Sequence, residues 1–299
     1  MRTLVVGSVA LDSIRTPFGE VEEALGGSAT YFSLAASFFG GVRLVAVVGE
    51  DFPREHLDFL SARGVDLRGL QKVPGRTFRW KGYYEYDLND ARTLETQLNV
   101  FEDFEPDIPE EYRDSEFVFL ANIAPELQLH VLEQIRSPRL VVCDTMNLWI
   151  ETRRPQLVET ISRVDILLLN DGEARQLAGE PNLVAAGRKL LGLGPRRVVI
   201  KKGEHGVIML TGDSFFSLPA YPLETVFDPT GAGDSFGGGF LGSLSRGEEM
   251  GEDAIRRSVV YGSVVASFAV ESFSCDRLRD LTLEEIEARY RAFTDITCF

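Results

Sequence analysis

Short β-branched runs alternate with helical patterns along most of the 299-residue chain. The run at 164–169, Val-Asp-Ile-Leu-Leu-Leu, is almost continuously apolar, which is typical of a strand covered by helices on both faces. The alternation therefore predicts an α/β fold built on a parallel sheet. The predicted strands are Thr3–Val6, Arg43–Val48, Phe117–Leu120, Leu140–Asp144, Asp165–Leu169 and Arg197–Lys201. The predicted helices are Ser28–Phe39, Arg54–Arg63, Pro125–Ile135, Gly172–Ala178, Leu183–Leu191, Ser235–Ser245, Ala254–Val270 and Leu283–Phe293.

The segment from Thr77 to Val100 departs from this pattern. Its two extended runs are joined by a turn at 87–90, which predicts an antiparallel hairpin inserted in the parallel-sheet protein. One face of the first run is aromatic and carries Phe78, Trp80, Tyr84 and Tyr86. Such a hairpin is either a decoration packed on the body, a lid that excludes water from a reaction site, or an aromatic dimer surface.

The charge balance narrows the classes of partner. The chain has 46 acidic residues against 31 Lys and Arg, a net charge of −15. Nucleic acids and anionic membranes select basic surfaces, so we expect neither as a partner. An anionic substrate must then be met locally, by helix N-termini, single basic side chains or a metal ion.

Three cysteines, Cys143, Cys275 and Cys298, are odd in number and widely spaced, which favours buried thiols in a reducing compartment over a disulfide framework. The first residues predict a strand rather than a signal peptide. The apolar stretch Val259–Val270 is too short to span a bilayer. We therefore expect a soluble, cytoplasmic protein.

Residues 228–240, Asp-Pro-Thr-Gly-Ala-Gly-Asp-Ser-Phe-Gly-Gly-Gly-Phe, carry the strongest functional signal. At Gly231, Ala232 and Gly233 backbone N–H groups can approach an anion closely, and the helix that follows adds free N–H donors and a positive dipole end. Asp234 lies beside the place where negative charge would gather. An anion cradle with a carboxylate at its rim suits transfer of a phosphoryl group to a hydroxyl. The alternative is a glycine-rich loop with Asp234 as an ordinary helix N-cap.

Several motifs in a fixed order resemble the ribokinase-like (PfkB) kinases, nearly end to end. One of these motifs is the 228–234 run. The others are the di-glycine run at 25–30, the Gly-Glu-Asp run at 49–51 followed by Gly-Val-Asp at 64–66, the Asn-x-x-Glu run at 170–173 and the glycine loop at 202–206. The resemblance implies a three-layer αβα sandwich with a mostly parallel sheet and a small β lid. It also implies one kinase domain, 1–299, with lid strands inserted at about 10–20 and 75–102. No Walker-type P-loop is present in the sequence.

The resemblance assigns the chemistry to named residues. Asp234 would orient the acceptor hydroxyl and accept its proton, while Gly231, Ala232 and Gly233 would stabilise the transferring phosphoryl group. Asn170 and Glu173 would hold Mg²⁺ through water, or else form only a capping box at a helix start. A monovalent cation such as K⁺ is a further cofactor that the family allows.

The same resemblance divides the two substrates between two groups of residues. Candidate acceptor-binding residues follow predicted strands or precede a helix: Asp12, Gly26, Gly27, Asn122, Asp144 and Asn147. Candidate ATP-binding residues are Lys201, Gly203, Gly206, Thr230, Val264 and Ser267.

The chain also departs from ribokinases proper. There the di-glycine is followed by Lys-Gly-Ala-Asn, whereas this chain has Ser28-Ala-Thr-Tyr31, which puts ribose in doubt. Beyond Arg79 and Lys81 the acceptor end has no obvious basic cluster for a sugar phosphate. We therefore expect an uncharged polyol, in the first place a sugar, with a nucleoside or inositol as the alternative. A non-catalytic nucleotide-binding regulator is a second alternative, and a homodimer through the lid is expected.

Overall fold

The computed structural model describes residues 3–89, 91–247 and 250–298. Its strands are β1 (Thr3–Val6), β2 (Ala10–Thr16), β3 (Gly19–Gly26), β4 (Val42–Gly49), β5 (Val65–Val73), β6 (Arg79–Tyr84), β7 (Ala91–Gln97), β8 (Phe117–Leu120), β9 (Leu140–Asp144), β10 (Ile166–Asn170), β11 (Arg197–Lys201), β12 (Val207–Leu210) and β13 (Phe215–Leu218). Its helices are α1 (Ser28–Ser37), α2 (Arg54–Ala62), α3 (Pro125–Gln134), α4 (Asn147–Thr152), α5 (Arg154–Ser162), α6 (Asp171–Ala178), α7 (Leu183–Leu191), α8 (Ala232–Arg246), α9 (Glu252–Ala269), α10 (Asp276–Asp280) and α11 (Leu283–Thr297).

The central sheet has nine strands in the order β13-β12-β11-β10-β9-β8-β1-β4-β5. From β11 to β5 all neighbours are parallel, whereas β12 and β13 close one edge as antiparallel strands. Parallel strands end at the same edge, so the loops after β1, β8, β9, β10 and β11 converge there.

Successive side chains of each strand point to opposite faces of the central sheet, so the core lies in two layers, one on each face. In β1, Val5 points to the side covered by α1, α8 and α9, while Leu4 and Val6 point to the opposite side with Val131 of α3. Further along the sheet that second side continues under α5, α6 and α7. Helices on both faces explain why these strands are apolar throughout.

A separate sheet of four strands, in the order β3-β2-β6-β7, stands beside the main one. Strands β6 and β7 form the predicted antiparallel hairpin, and β6 also pairs with β2 in parallel. We call β2, β3, β6 and β7 the small sheet. Its strands β2 and β3 extend to Gly26, whereas the first lid insertion was expected to end near residue 20.

Arg79 of β6 connects the small sheet to the body. Its guanidinium contacts Glu23 of β3 at 2.6 Å and Asp51 of the body at 2.9 Å. That dimers form through the small sheet stays a prediction.

Some expectations from the sequence were wrong. Helix α8 begins at Ala232 rather than Ser235, so Asp234 lies in its first turn and Gly231 is the N-cap. The thiol of Cys298 is exposed, not buried.

The predicted turn at 87–90 includes Asp90, which lies outside the described residues. In the described part of the chain no helix is long and apolar enough to cross a bilayer.

Candidate active site

The glycine-rich segment enters α8 through a tight turn. Gly231 has a φ of 74°, and a Cβ on it would lie 2.3 Å from the ring of Tyr31, so only glycine fits there without rearrangement. The N–H of Ala232 donates to the Pro229 carbonyl at 3.2 Å. The amides of Gly231 and Gly233 are then the better candidates for an anion, together with the rest of the first turn.

Lys201, at the end of β11, brings a positive charge to this turn. A Cβ on Gly233 would lie 2.9 Å from its ammonium nitrogen. The same Nζ contacts Asp144 Oδ2, at the end of β9, at 3.0 Å. Asp144 was expected to bind the acceptor, but its carboxylate is 4% exposed and is held in this ion pair. It therefore lies on the phosphate side of the crevice.

The half-buried Asp234 carboxyl responds to the same charges. Its pKa is raised to about 7, chiefly by desolvation and then by the charge of Asp144, while Lys201 acts to lower it. Burial by itself disfavours the charged form of Lys201, but the carboxylates of Asp144, Glu173 and Asp234 raise its pKa. An ammonium group and a carboxyl that titrates near neutrality thus stand beside one anion cradle.

Asn170 and Glu173 form a reciprocal capping box at the start of α6. The Glu173 N–H donates to Asn170 Oδ1 and the Asn170 N–H donates to Glu173 Oε2, both at 2.7 Å. Desolvation raises the pKa of Glu173 to about 7, with Asp144 adding to the effect. Among the described residues no three acidic, histidine or cysteine side chains could enclose a metal. This donor set fits a hydrated Mg²⁺, which needs few protein ligands.

Asp12, in β2, is the buried carboxylate of the small sheet. Its Oδ2 accepts a hydrogen bond from the Gly27 N–H at 3.3 Å, and a Cβ on Gly26 would lie 1.9 Å from it. The space above Gly26 is thus filled by Asp12, not left for a substrate as expected. The pKa of Asp12 is raised to about 7, chiefly by burial and then by the charges of Asp228 and Asp234, while the hydrogen bond from Gly27 acts to lower it.

Asp12 has an aromatic neighbour. It is the register partner of Trp80 in the parallel β2–β6 pair, so the two side chains share one face of the small sheet. The Trp80 indole lies over Gly82, since a Cβ there would be 2.3 Å from the ring. The indole Nε1 donates to Thr93 Oγ1 of β7 at 3.1 Å. A carboxylate and an indole on one face of the small sheet suit a ligand with hydroxyls at one end and a flat face at the other.

Two other acceptor candidates lie at the same sheet edge but have local partners. Asn122 accepts a hydrogen bond from Trp149 Nε1 at 2.8 Å and donates to the sulfur of Met146. Asn147 begins α4, where its Oδ1 accepts from the Leu148 N–H. The Asn122 side chain is therefore occupied at both ends in this conformation, whereas Asn147 is exposed and only its Oδ1 has a partner here.

Four of the six nucleotide candidates lie near the anion cradle or in the loop after β11. Thr230 and Lys201 adjoin the anion cradle, and Gly203 and Gly206 shape the loop after β11. Gly206 has a φ of 82°, and a Cβ there would be 2.1 Å from the Leu218 carbonyl.

Val264 and Ser267 of α9 behave differently. The Val264 side chain has no exposed surface. The Ser267 hydroxyl donates to the Val264 carbonyl at 2.7 Å and accepts from Arg289 at 3.0 Å. Because both side chains pack inside the helix layer, they are not available to ATP in this conformation.

Two contacts of the anion turn were not assigned from the sequence. The buried Asp228 accepts hydrogen bonds from the Thr230 and Ser274 N–H groups, both at 2.9 Å, and so joins the turn to the segment before α10. The hydroxyl of Tyr84, in β6, accepts from Thr230 Oγ1 at 3.2 Å. Asp228 begins the quoted motif and Tyr84 lies on the aromatic face, so signals existed for both.

This chain is similar to known proteins in sequence and in fold. The family described as pfkB family carbohydrate kinase matches residues 3–280. The cytidine kinase of Thermococcus kodakarensis is 37% identical over 260 residues, which cover 85% of this chain and 91% of that protein.

Two solved structures have the same fold at low sequence identity. The Burkholderia thailandensis nucleoside kinase in complex with inosine has a TM-score of 0.75 at 20% identity, covering 98% of this chain and 99% of that one. An E. coli protein assigned as ribokinase II, in complex with ATP and Mg²⁺, has a TM-score of 0.79 at 18% identity, covering 97% and 99%. The expected ribokinase-like fold is confirmed. The chain belongs to the pfkB family of carbohydrate kinases and is a sugar or nucleoside kinase, a phosphotransferase with a hydroxyl acceptor.

Proposed function

We propose that this kinase phosphorylates a nucleoside, with cytidine as the first candidate, using ATP and Mg²⁺. The observation that carries the proposal is the 37% identity to a cytidine kinase across 91% of that protein's length. It favours the nucleoside alternative over the sugar that we expected first. The kinase structure in complex with inosine supports the same class of acceptor.

The chemistry of the acceptor side agrees with an uncharged nucleoside. Asp12 offers a carboxylate to ribose hydroxyls, and the neighbouring Trp80 offers a flat surface to a base. Arg79, one of two basic side chains expected at this end, is already held by Glu23 and Asp51. A phosphorylated acceptor would thus meet little free positive charge.

The proposed reaction is a direct in-line transfer. The acceptor hydroxyl oxygen forms a bond to the γ-phosphorus, the bond from that phosphorus to the β–γ bridging oxygen breaks, and ADP leaves. The hydroxyl proton passes to Asp234. Because the transition state is loose, placement of this carboxylate matters more than its basicity.

The anion cradle and its lysine receive the developing charge. Amides of the α8 first turn and the ammonium of Lys201 stabilise the transferring phosphoryl group. Asn170 and Glu173 would hold Mg²⁺ through water, and the ion would offset the negative charge of the phosphates. The proposed nucleotide site also includes Thr230, Gly203 and Gly206. Within the proposed single domain, the small sheet closes over this crevice as a lid and keeps water away from the phosphoryl group.

An acceptor panel tests the substrate class. ADP release with Mg-ATP would be measured with cytidine, uridine, inosine, adenosine, ribose, fructose and myo-inositol. We expect the highest kcat/KM with cytidine and a phosphorus resonance of a nucleoside monophosphate in the product. A higher kcat/KM with a free sugar would replace the nucleoside proposal by the sugar kinase. Nucleotide binding without turnover on any acceptor would favour the regulator.

The role of Asp234 is tested in the same assay. Asp234→Asn keeps the shape and removes the base, so we expect kcat to fall by about 10²–10⁴-fold, as for loss of a positioned base. The matched control is Asp253→Asn, which changes an exposed carboxylate in the first turn of α9. Equal activity in the two variants would refute the mechanism.

A further inference from the structure

Tyr84 is the point where the small sheet reaches the anion turn. It is the last residue of β6, and its hydroxyl accepts a hydrogen bond from Thr230 Oγ1 at 3.2 Å. Thr230 directly precedes Gly231, the N-cap of α8. One side chain thus connects the small sheet to the residue that begins the phosphate cradle.

The body of the protein holds the turn by other atoms. The Thr230 N–H donates to Asp228, which also accepts from Ser274. The ring of Tyr31 supports Gly231 from α1. Among the described contacts, the Thr230 hydroxyl is the group of this turn that bonds to the small sheet. Ser274 also donates from its hydroxyl to the Leu25 carbonyl of β3 at 2.5 Å, so the turn has an indirect link to the end of β3 through Asp228 and Ser274. Movement of β6 away from the body would release the direct bond of Thr230.

The Tyr84 hydroxyl also remains protonated. Burial raises its pKa, and the carboxylates of Asp228, Asp12 and Asp234 raise it further. Since it accepts from Thr230, its own proton stays available for a second partner. A neutral phenol between three carboxylates and an anion cradle can therefore join the two sides of the crevice.

We propose that Tyr84 is a positioning residue that couples closure of the small sheet to the conformation of the phosphate cradle. With the sheet closed, the hydroxyl holds Thr230 and so fixes the turn at Gly231 for phosphoryl transfer. With the sheet open, the Thr230 side chain loses this partner and the cradle is less well ordered. The kinetic part of this inference rests on the proposed function.

The kinetic test compares Tyr84→Phe with Tyr83→Phe. Tyr83 lies next to it on β6, and its ring stacks with Arg15 at 5.4 Å, a contact that phenylalanine keeps. Loss of one hydrogen bond predicts a three- to ten-fold decrease of kcat in Tyr84→Phe, roughly what one such bond contributes, with the acceptor KM nearly unchanged. We expect wild-type values in Tyr83→Phe. Equal kcat in both variants would overturn the inference.

A double-mutant cycle identifies the partner. Thr230→Val should lose at least as much kcat as Tyr84→Phe, and the double variant Tyr84→Phe/Thr230→Val should lose no more kcat than Thr230→Val alone. Losses that multiply would show independent roles and contradict the coupling.

Hydrogen exchange tests the same coupling without any acceptor. In Tyr84→Phe we expect faster amide exchange both in β6 and in the first turn of α8, and in neither for Tyr83→Phe. Faster exchange in β6 alone would mean that Tyr84 only packs the small sheet. If the wild type phosphorylates no acceptor, the proposed function fails, but this exchange experiment still decides the coupling.

Discussion

At the scale of single residues, Lys201 and Asp144 act on the Asp234 carboxyl with opposite signs. Lys201 lowers the Asp234 pKa and Asp144 raises it, around a value of about 7 that burial sets first. If Asp234 must be ionised to receive the proton, kcat/KM rises with pH and levels off above that pKa. We expect the acid limb of the wild-type profile near pH 7.

Substitution should move this limb in a predictable direction. Asp144→Asn removes a negative charge and should shift it to lower pH, whereas Lys201→Met removes a positive charge and should shift it to higher pH. Each shift should be about one pH unit, as expected for a charge at close range. The measurement is kcat/KM between pH 5 and 9 on the residual activity. Shifts in the same direction would contradict this electrostatic account.

Single residues also show which site assignments can be made from the sequence and which require the structure. The motif located Asp234 and the glycines of the turn, because glycine spacing and a following helix are readable locally. Asp144 was assigned to the acceptor, since its partner Lys201 lies 57 residues away and no local pattern connects them. The contact of Tyr84 with Thr230 spans 146 residues, so only the folded chain reveals it.

At the scale of elements, the turn into α8 depends on a left-handed residue. Gly231→Ala should destabilise the protein by about 2–3 kcal/mol, because it combines a strained φ with a Cβ pressed on the Tyr31 ring. The folded fraction should also lose activity, since the cradle must shift away from Tyr31. Urea unfolding and kcat check both effects.

The control for this element is Gly212→Ala. A Cβ at Gly212 meets nothing within 4 Å, so stability should change by less than about 0.5 kcal/mol. A Gly231→Ala protein as stable and active as this control would show that the turn is not constrained by Tyr31.

Elements differed in how well the sequence predicted them. The six strands buried on both faces were predicted within one residue at each end, because their runs are apolar throughout. The edge strand β5 was missed, since only Val65 and Gly69 of its nine residues are buried and the rest are mostly polar. Strands β12 and β13 were also missed. Strand β13 is partly exposed, whereas β12 is buried throughout like the short strands that were predicted.

At the scale of the whole molecule, the crevice concentrates negative charge in a chain that already carries a net charge of −15. Burial raises the pKa values of Asp12, Glu173 and Asp234 to about 7. Between the usual carboxyl pKa near 4 and pH 7 the folded state then binds more protons than the unfolded chain. The free energy of unfolding should therefore fall as the pH rises through this interval and stay low above it.

Asp12→Asn tests this sign, because the amide cannot ionise and can still accept from the Gly27 N–H. At pH 8 the variant should be more stable than the wild type by roughly 2–4 kcal/mol, the free energy of a shift of about three pKa units at its upper limit. At pH 4.5, only slightly above the unfolded pKa, the difference should shrink to about 1 kcal/mol. Urea unfolding at pH 4.5, 6, 7 and 8 measures it, beside Asp253→Asn, which removes an exposed carboxyl. A stabilisation that is the same at every pH would mean that the Asp12 pKa is the same in the folded and unfolded states. A gain that grows up to about pH 7 and then levels off would show that the site keeps a buried charge above that pH, at a cost to the stability of the fold.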